Sequence, residues 1–218
     1  MNRLAIFDCD GTLVDGQANV CDAMEEAFAA SGLQAPDRLA IRRAVGLSLP
    51  QAMAQLVPEG DAVQHEMLAE RYRLAFRTHR ERGLVNEPLY DGMAMLLRHL
   101  HAAGWTLAVA TGKSDRGLAH CLDHHGIADL FESLQTADRH PSKPHPSMIE
   151  RILDDTGVDA DHAVMIGDTS FDMLMADAAG VRGVGVAWGY HAPDELMAAG
   201  ADAVANDMDD LQKLLGAA

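Results

Sequence analysis

The chain has 218 residues and carries 33 acidic against 17 basic side chains, a net charge of −16 at neutral pH. That balance argues against nucleic acid and anionic membrane surfaces as partners, and the length suits one large domain or a core with a smaller insertion. Cys9, Cys21 and Cys121 show no CxxC or Cys/His spacing, and neither a leader with a cleavage site nor a run of bilayer-spanning length is visible, so the expectation is a reduced, cytoplasmic protein without a zinc site.

In chain order, Leu4-Ala5-Ile6-Phe7 is an apolar run of strand length, and Asp8-Cys9-Asp10-Gly11-Thr12-Leu13-Val14-Asp15 follows it directly. Carboxylates two apart, where a parallel strand opens onto its ligand crevice, can share a metal and a substrate. Cys9 between them reads as a small buried hydrophobe rather than a redox-sensitive thiol. Residues 17–83 hold helical faces but no strand pattern: Val20, Met24, Ala27 and Phe28; Leu49, Met53 and Leu56; Leu68, Tyr72, Ala75 and Phe76. The stretch is too long for a single crossover. It predicts a small all-helical domain over 17–83, hinged near Val14–Gln17 and Gly83–Pro88, with 1–16 and 84–218 forming the core.

Further short apolar runs, Thr106–Ala110, Ala163–Ile166, Val184–Ala187 and a weaker Ala201–Ala205, alternate with helical periodicity such as Leu118, Cys121, Leu122 and His125, or Ile149, Ile152, Leu153 and Thr156. This alternation predicts the α/β class, a doubly wound, Rossmann-like parallel sheet.

Polar sites recur at the ends of these strands. Thr111-Gly112-Lys113-Ser114 follows the second and offers hydroxyl and backbone donors to an anionic oxygen. Lys143 sits in Ser142-Lys143-Pro144-His145-Pro146, held out of a helix by the prolines. Gly167-Asp168-Thr169-Ser170-Phe171-Asp172 follows Ala163–Ile166. The chain has three lysines, Lys113, Lys143 and Lys213, and two lie in these loops, which suggests point-charge roles. Taken singly, each site has a plainer reading: Asp168 and Thr169 as helix caps, Lys143 as a surface charge. Together they fall on one rim of the sheet, and Asp8, Asp10 and Asp168 would repel one another without a cation; hard oxygen ligands in that number favour magnesium.

The set resembles the haloacid dehalogenase superfamily, with DCDGTLVD, Thr111, Lys143 and GDTSFD as its four motifs, and the resemblance spans nearly the whole chain. It implies Asp8 as nucleophile, Asp10 as general acid and base, and a magnesium ion held by Asp8, Asp10 and Asp168. It implies a phosphoryl group bound by Thr111, Gly112 and Lys143, with Lys143 also steadying Asp8. Asp172 is expected to orient Lys143 or a metal-bound water rather than to touch the metal. Asp15 reads as a hinge or turn residue. Residues 17–83 resemble a mobile helical cap, with Gly46-Leu47-Ser48-Leu49 as its substrate-facing loop.

Within that superfamily the acid at Asp10 points to phosphoryl transfer rather than dehalogenation, and the absence of lysine from 17–83 disfavours a Schiff-base phosphonate cleavage. The overall pattern, including Gly185-Val186-Ala187-Trp188-Gly189-Tyr190, looks most like the phosphoglycolate phosphatase branch, from which Asp91 is a small departure. Arg42 and Arg43 read as a solvated helix face, with recognition of a substrate carboxylate as the competing role. The expectation is a magnesium-dependent phosphatase of a small-molecule phosphate monoester, monomeric or homodimeric. A β-phosphoglucomutase-like phosphomutase and a noncatalytic phosphate-binding protein are the alternatives.

Overall fold

A computed structural model describes residues 2–216. Six strands, β1 (Arg3–Phe7), β2 (Trp105–Thr111), β3 (Ser133–Thr136), β4 (Ala163–Gly167), β5 (Arg182–Val186) and β6 (Ala203–Ala205), form one parallel sheet in the order β3-β2-β1-β4-β5-β6. The α/β expectation holds. Alternate residues of each inner strand face opposite layers, as the pleat requires. Ala5, Phe7, Leu107 and Val109 join one apolar layer. Leu4, Ile6, Ala108, Ala110 and Met165 join the other. Helices α5 (Met93–Ala102), α6 (Asp115–His125) and α10 (Met208–Leu214) cover the first face, and α7 (Ser147–Thr156) and α8 (Ser170–Ala178) the second.

One strand has no counterpart in the sequence reading. β3 is four residues long and its inward side chains include Ser133 and Gln135, both buried. They are satisfied by tertiary partners rather than by apolar packing: Asp155 accepts from Ser133 Oγ at 2.8 Å and from Gln135 Nε2 at 2.9 Å. A strand whose buried face is polar leaves no hydrophobic run to read.

Four helices lie between β1 and α5: α1 (Gln17–Ala30), α2 (Arg38–Arg43), α3 (Leu49–Leu56) and α4 (Ala62–Glu81). They share an apolar cluster of their own, built on Val20, Met24, Phe28, Ile41, Met53 and Leu68. Asp37 and Asp61 cap α2 and α4 by accepting the backbone N–H three residues on. The short helix α9 (Pro193–Ala198) leads into β6. Among the described residues no helix is long and apolar enough to cross a membrane.

The strand order places β1 at the switch point: the chain leaves it toward β2 and β3, then returns to build β4, β5 and β6 on its other side. Loops at such a point diverge and leave a crevice beyond the carboxyl ends of the strands. The loops after β1, β2 and β4 all open there.

Candidate active site

Asp8 is the first residue beyond β1; its N–H extends the ladder by donating to Ile166 O at 2.9 Å, which fixes the side chain between β1 and β4. Its Oδ1 accepts the Cys9 N–H at 2.6 Å. Oδ2 lies 3.0 Å from Lys143 Nζ in an ion pair that lacks hydrogen-bond alignment, so this buried oxygen is free to take another partner. Burial, the largest influence, pushes Asp8 up to about 7 against the pull of Lys143.

Lys143 comes from the loop after β3 and is buried with its ammonium between two carboxylates, Asp172 Oδ1 at 2.5 Å and Asp8 Oδ2 at 3.0 Å. Burial works against its charge, but Asp172 and Asp8 outweigh it and hold the amine protonated. Asp172 has both oxygens engaged: Oδ2 accepts from Thr169 N at 3.0 Å and Thr169 Oγ1 at 2.7 Å, closing the capping box that starts α8. A helix cap and a lysine clamp are thus the same side chain.

Asp168 follows β4 and is fully buried. Thr12 Oγ1 donates to its Oδ1 at 2.8 Å and Tyr190 N to its Oδ2 at 2.9 Å. Gly11 makes room for it. With φ at +85° and a position where a Cβ would fall 2.1 Å from Asp168 Oδ2, no side chain fits there. Burial, then Asp8 and Asp172, raises Asp168 well above the usual carboxylate range. Oxygens of Asp8, Asp168 and Asp172 lie within 4.8 Å of one another. Three buried carboxylates so close, one with an oxygen that accepts no hydrogen bond, are a donor set suited to a hard divalent cation.

Asp10 is placed differently. Its Oδ1 pairs with Lys113 Nζ at 2.5 Å, and Lys113 in turn meets Glu87 Oε1 at 2.9 Å. Arg80, near the end of α4, reaches Glu87 Oε2 at 3.4 Å. A chain of alternating charge therefore runs from Asp10 through Lys113 and Glu87 to the helical segment. Burial opposes the charge of Lys113 and of Glu87, but opposite charges prevail: Asp10, more than Glu87, raises Lys113, and Lys113, with Arg80, lowers Glu87. Lys113 was visible in sequence as one of three lysines; Glu87 gave no signal, because nothing local distinguishes it from a surface acid.

Thr111 ends β2, buried, with Lys113 N donating to its Oγ1 at 3.2 Å. Gly112 is in contact with the helical segment: a Cβ there would meet Gly46 O and Leu47 O, each at 2.7 Å. The same loop is tied down by Ser48 N donating to Ser142 Oγ at 2.8 Å and by an ion pair between Arg43 and Glu195. Arg42 bonds Gln17 Oε1 and the Arg38 carbonyl, both at 3.3 Å. Arg42 and Arg43 thus have partners away from the carboxylate cluster. Asp15 accepts the Gln17 N–H at 3.2 Å, a turn contact. Cys9 is buried 3.9 Å from Cys121, in the apolar layer.

Between the strand ends and helices α1–α4 lies a cavity of about 360 Å³, lined by Asp8, Asp10, Thr111, Gly112 and Lys113 on one side and by residues of the helical segment on the other.

Residues 5–186 match the family model described as haloacid dehalogenase-like hydrolase. Over 222 aligned residues the chain is 36% identical to the protein named "Probable phosphatase IndB" of Dickeya dadantii, covering 100% of this chain and 94% of that one. It is 33% identical to a phosphoglycolate phosphatase of Rhodospirillum rubrum, covering 99% and 92%. The crystal structure of a predicted phosphatase from Clostridium acetobutylicum superposes with a TM-score of 0.89 at 25% identity, covering 99% of this chain and 98% of the other. With its strand-end motifs converging in one crevice and its length matched throughout, the chain belongs to the haloacid dehalogenase-like hydrolases.

Proposed function

We propose that the protein is a magnesium-dependent phosphatase that hydrolyses a small-molecule phosphate monoester through an aspartyl phosphate on Asp8. The observation that carries the reading is the buried Asp8, with one oxygen unpartnered by any hydrogen bond and facing the only ammonium that enters the carboxylate cluster among the described residues. Lys143 neutralises Asp8 and the incoming phosphoryl group, and Thr111 with the Gly112 backbone binds its remaining oxygens. Asp8 attacks phosphorus in line as the ester bond breaks, and Asp10 gives its proton to the departing alkoxide. Asp10 then takes a proton from water as that water attacks the phosphoryl–Asp8 bond, and phosphate leaves. For this cycle Asp10 must exchange Lys113 for the leaving oxygen.

Asp8 and Asp168 would hold magnesium, which supplies charge neutralisation for the phosphoryl oxygens; the third candidate, Asp10, would do so through its main-chain carbonyl, since its carboxyl serves as acid and base. Asp172 has the geometry of a positioning residue for Lys143. Residues 17–83 serve as the cap and the remainder as the core; the separate apolar cluster of α1–α4 and the docking of Gly46 and Leu47 on Gly112 support that division.

The names of relatives make 2-phosphoglycolate one candidate ester. The test is phosphate release from a panel of small monoesters, hexose phosphates included, with magnesium or chelator. Release that requires both the metal and Asp8, with Asp8→Asn inactive and Asp10→Asn lowered by about 10²–10⁴-fold, is expected. Turnover by Asp8→Asn at the wild-type rate removes Asp8 from the nucleophile role.

A further inference from the structure

The cavity has two unlike halves. The phosphoryl end is polar and anchored on the strand ends. The opposite end reaches into the helical segment, where Met24, Ile41, Leu47, Ala52, Tyr72 and Phe76 line it. Met24 and Ile41 belong to the buried apolar cluster of α1–α4, so the cavity penetrates that cluster rather than lying on its surface. Tyr72 and Phe76 face each other with ring centroids 5.8 Å apart. Of the charged residues on this side, Arg73 is paired with Glu66 and Glu70, and Arg80 with Glu87. Arg77 and Arg116 also line the cavity and are exposed.

Resting on the phosphatase reading, we propose that the leaving alcohol carries an apolar body of several carbon atoms, which enters the cap between α1, α2, α3 and α4. A volume of about 360 Å³ falls in the range that accommodates ligands well beyond a two-carbon acid. Methylene groups set against Met24, Ile41 and Ala52 displace water from apolar surface, whereas a carboxylate there would lose its hydration, since the basic groups beside the Phe76 ring, Lys113 and Arg80, are already paired with Asp10 and Glu87. The Met24–Ile41 end of the wall therefore favours an apolar tail over an anionic one, while Arg77 and Arg116 stay at the exposed side of the cavity.

The experiment is a homologous series of straight-chain alkyl phosphates, ethyl to hexyl, assayed with magnesium beside phosphoglycolate. These alcohols leave with nearly equal intrinsic ease, so kcat/KM reports the pocket. We expect a rise of about fourfold per added methylene until the cavity is filled. Ala52→Leu, which adds bulk to the wall, ends the rise one or two methylenes sooner. Phe76→Ala, which removes wall instead, flattens its slope, and this second variant keeps the test open if Ala52→Leu does not fold. A flat or falling series, with phosphoglycolate the better substrate, overturns the apolar subsite while leaving the phosphatase standing. Failure to hydrolyse any ester overturns the phosphatase reading and the subsite with it.

Discussion

Replacing Lys143 by methionine isolates the electrostatic centre of the site. The side chain is buried between Asp8 and Asp172, and its loss leaves both of them, with Asp168 nearby, in a low-dielectric pocket without a counter-charge. Methionine fills much of the volume, so the cost is chiefly electrostatic. Removing one partner of a buried pair costs about 3–5 kcal/mol, a large part of the roughly 5–15 kcal/mol that holds a domain together. For a chain of this size that corresponds to a fall of about 6–20 °C in Tm, read by calorimetry in chelator at pH 7.5. Adding Asp172→Asn to Lys143→Met removes one of the stranded charges and recovers part of the loss, although the Thr169 cap is weakened. Phosphate release stays absent in both. If Lys143→Met melts within about 2 °C of wild type, the ammonium does not compensate these carboxylates and the account of the site is wrong.

Three further outcomes are expected. Gly11→Ala forces a left-handed backbone on a residue with a Cβ and drives that Cβ into Asp168 and Tyr190, for a combined loss of about 2–5 kcal/mol in a denaturant titration; a stability change below 0.5 kcal/mol would show that the loop re-forms freely. Glu87 is held below its ordinary value of 4.5 by Lys113 and Arg80 despite burial, so its ion pair contributes stability that is complete above pH 5 and lost as pH falls through the lowered folded value. The Tm gap between wild type and Glu87→Gln should accordingly be full at pH 6 and shrink on acidification below pH 4.5; a gap that widens with acid contradicts the assignment. Finally, magnesium at about a hundred times its dissociation constant should stabilise the wild type by about 2.7 kcal/mol, and Asp168→Asn should abolish that gain in a thermal melt without any turnover being measured.

Much of this was legible from short, local patterns. Leu4–Phe7 and Ala163–Ile166 are apolar because both faces of an inner parallel strand are covered, and the acids that follow them stand out against that background. Glycines at 11 and 112 are equally local signals, though their reason is tertiary: Asp168 approaches one and the Gly46–Leu47 backbone the other. β3 escaped because its buried Ser133 and Gln135 are compensated by Asp155, a partner more than twenty residues away along the chain in one case and twenty in the other.

Sequence by itself determined the fold class, the strand ends that carry Asp8, Thr111 and Asp168, and the family, since these depend on periodicity and on residues adjacent in the chain. Tertiary structure alone decided which charges meet. Asp10 turns to Lys113, which Glu87 also holds, Asp172 serves Thr169 and Lys143 at once, and the apolar half of the cavity is assembled from four helices. Each of these is a contact between loops or helices far apart in sequence, where the pairing energy depends on distance and burial that no local pattern encodes.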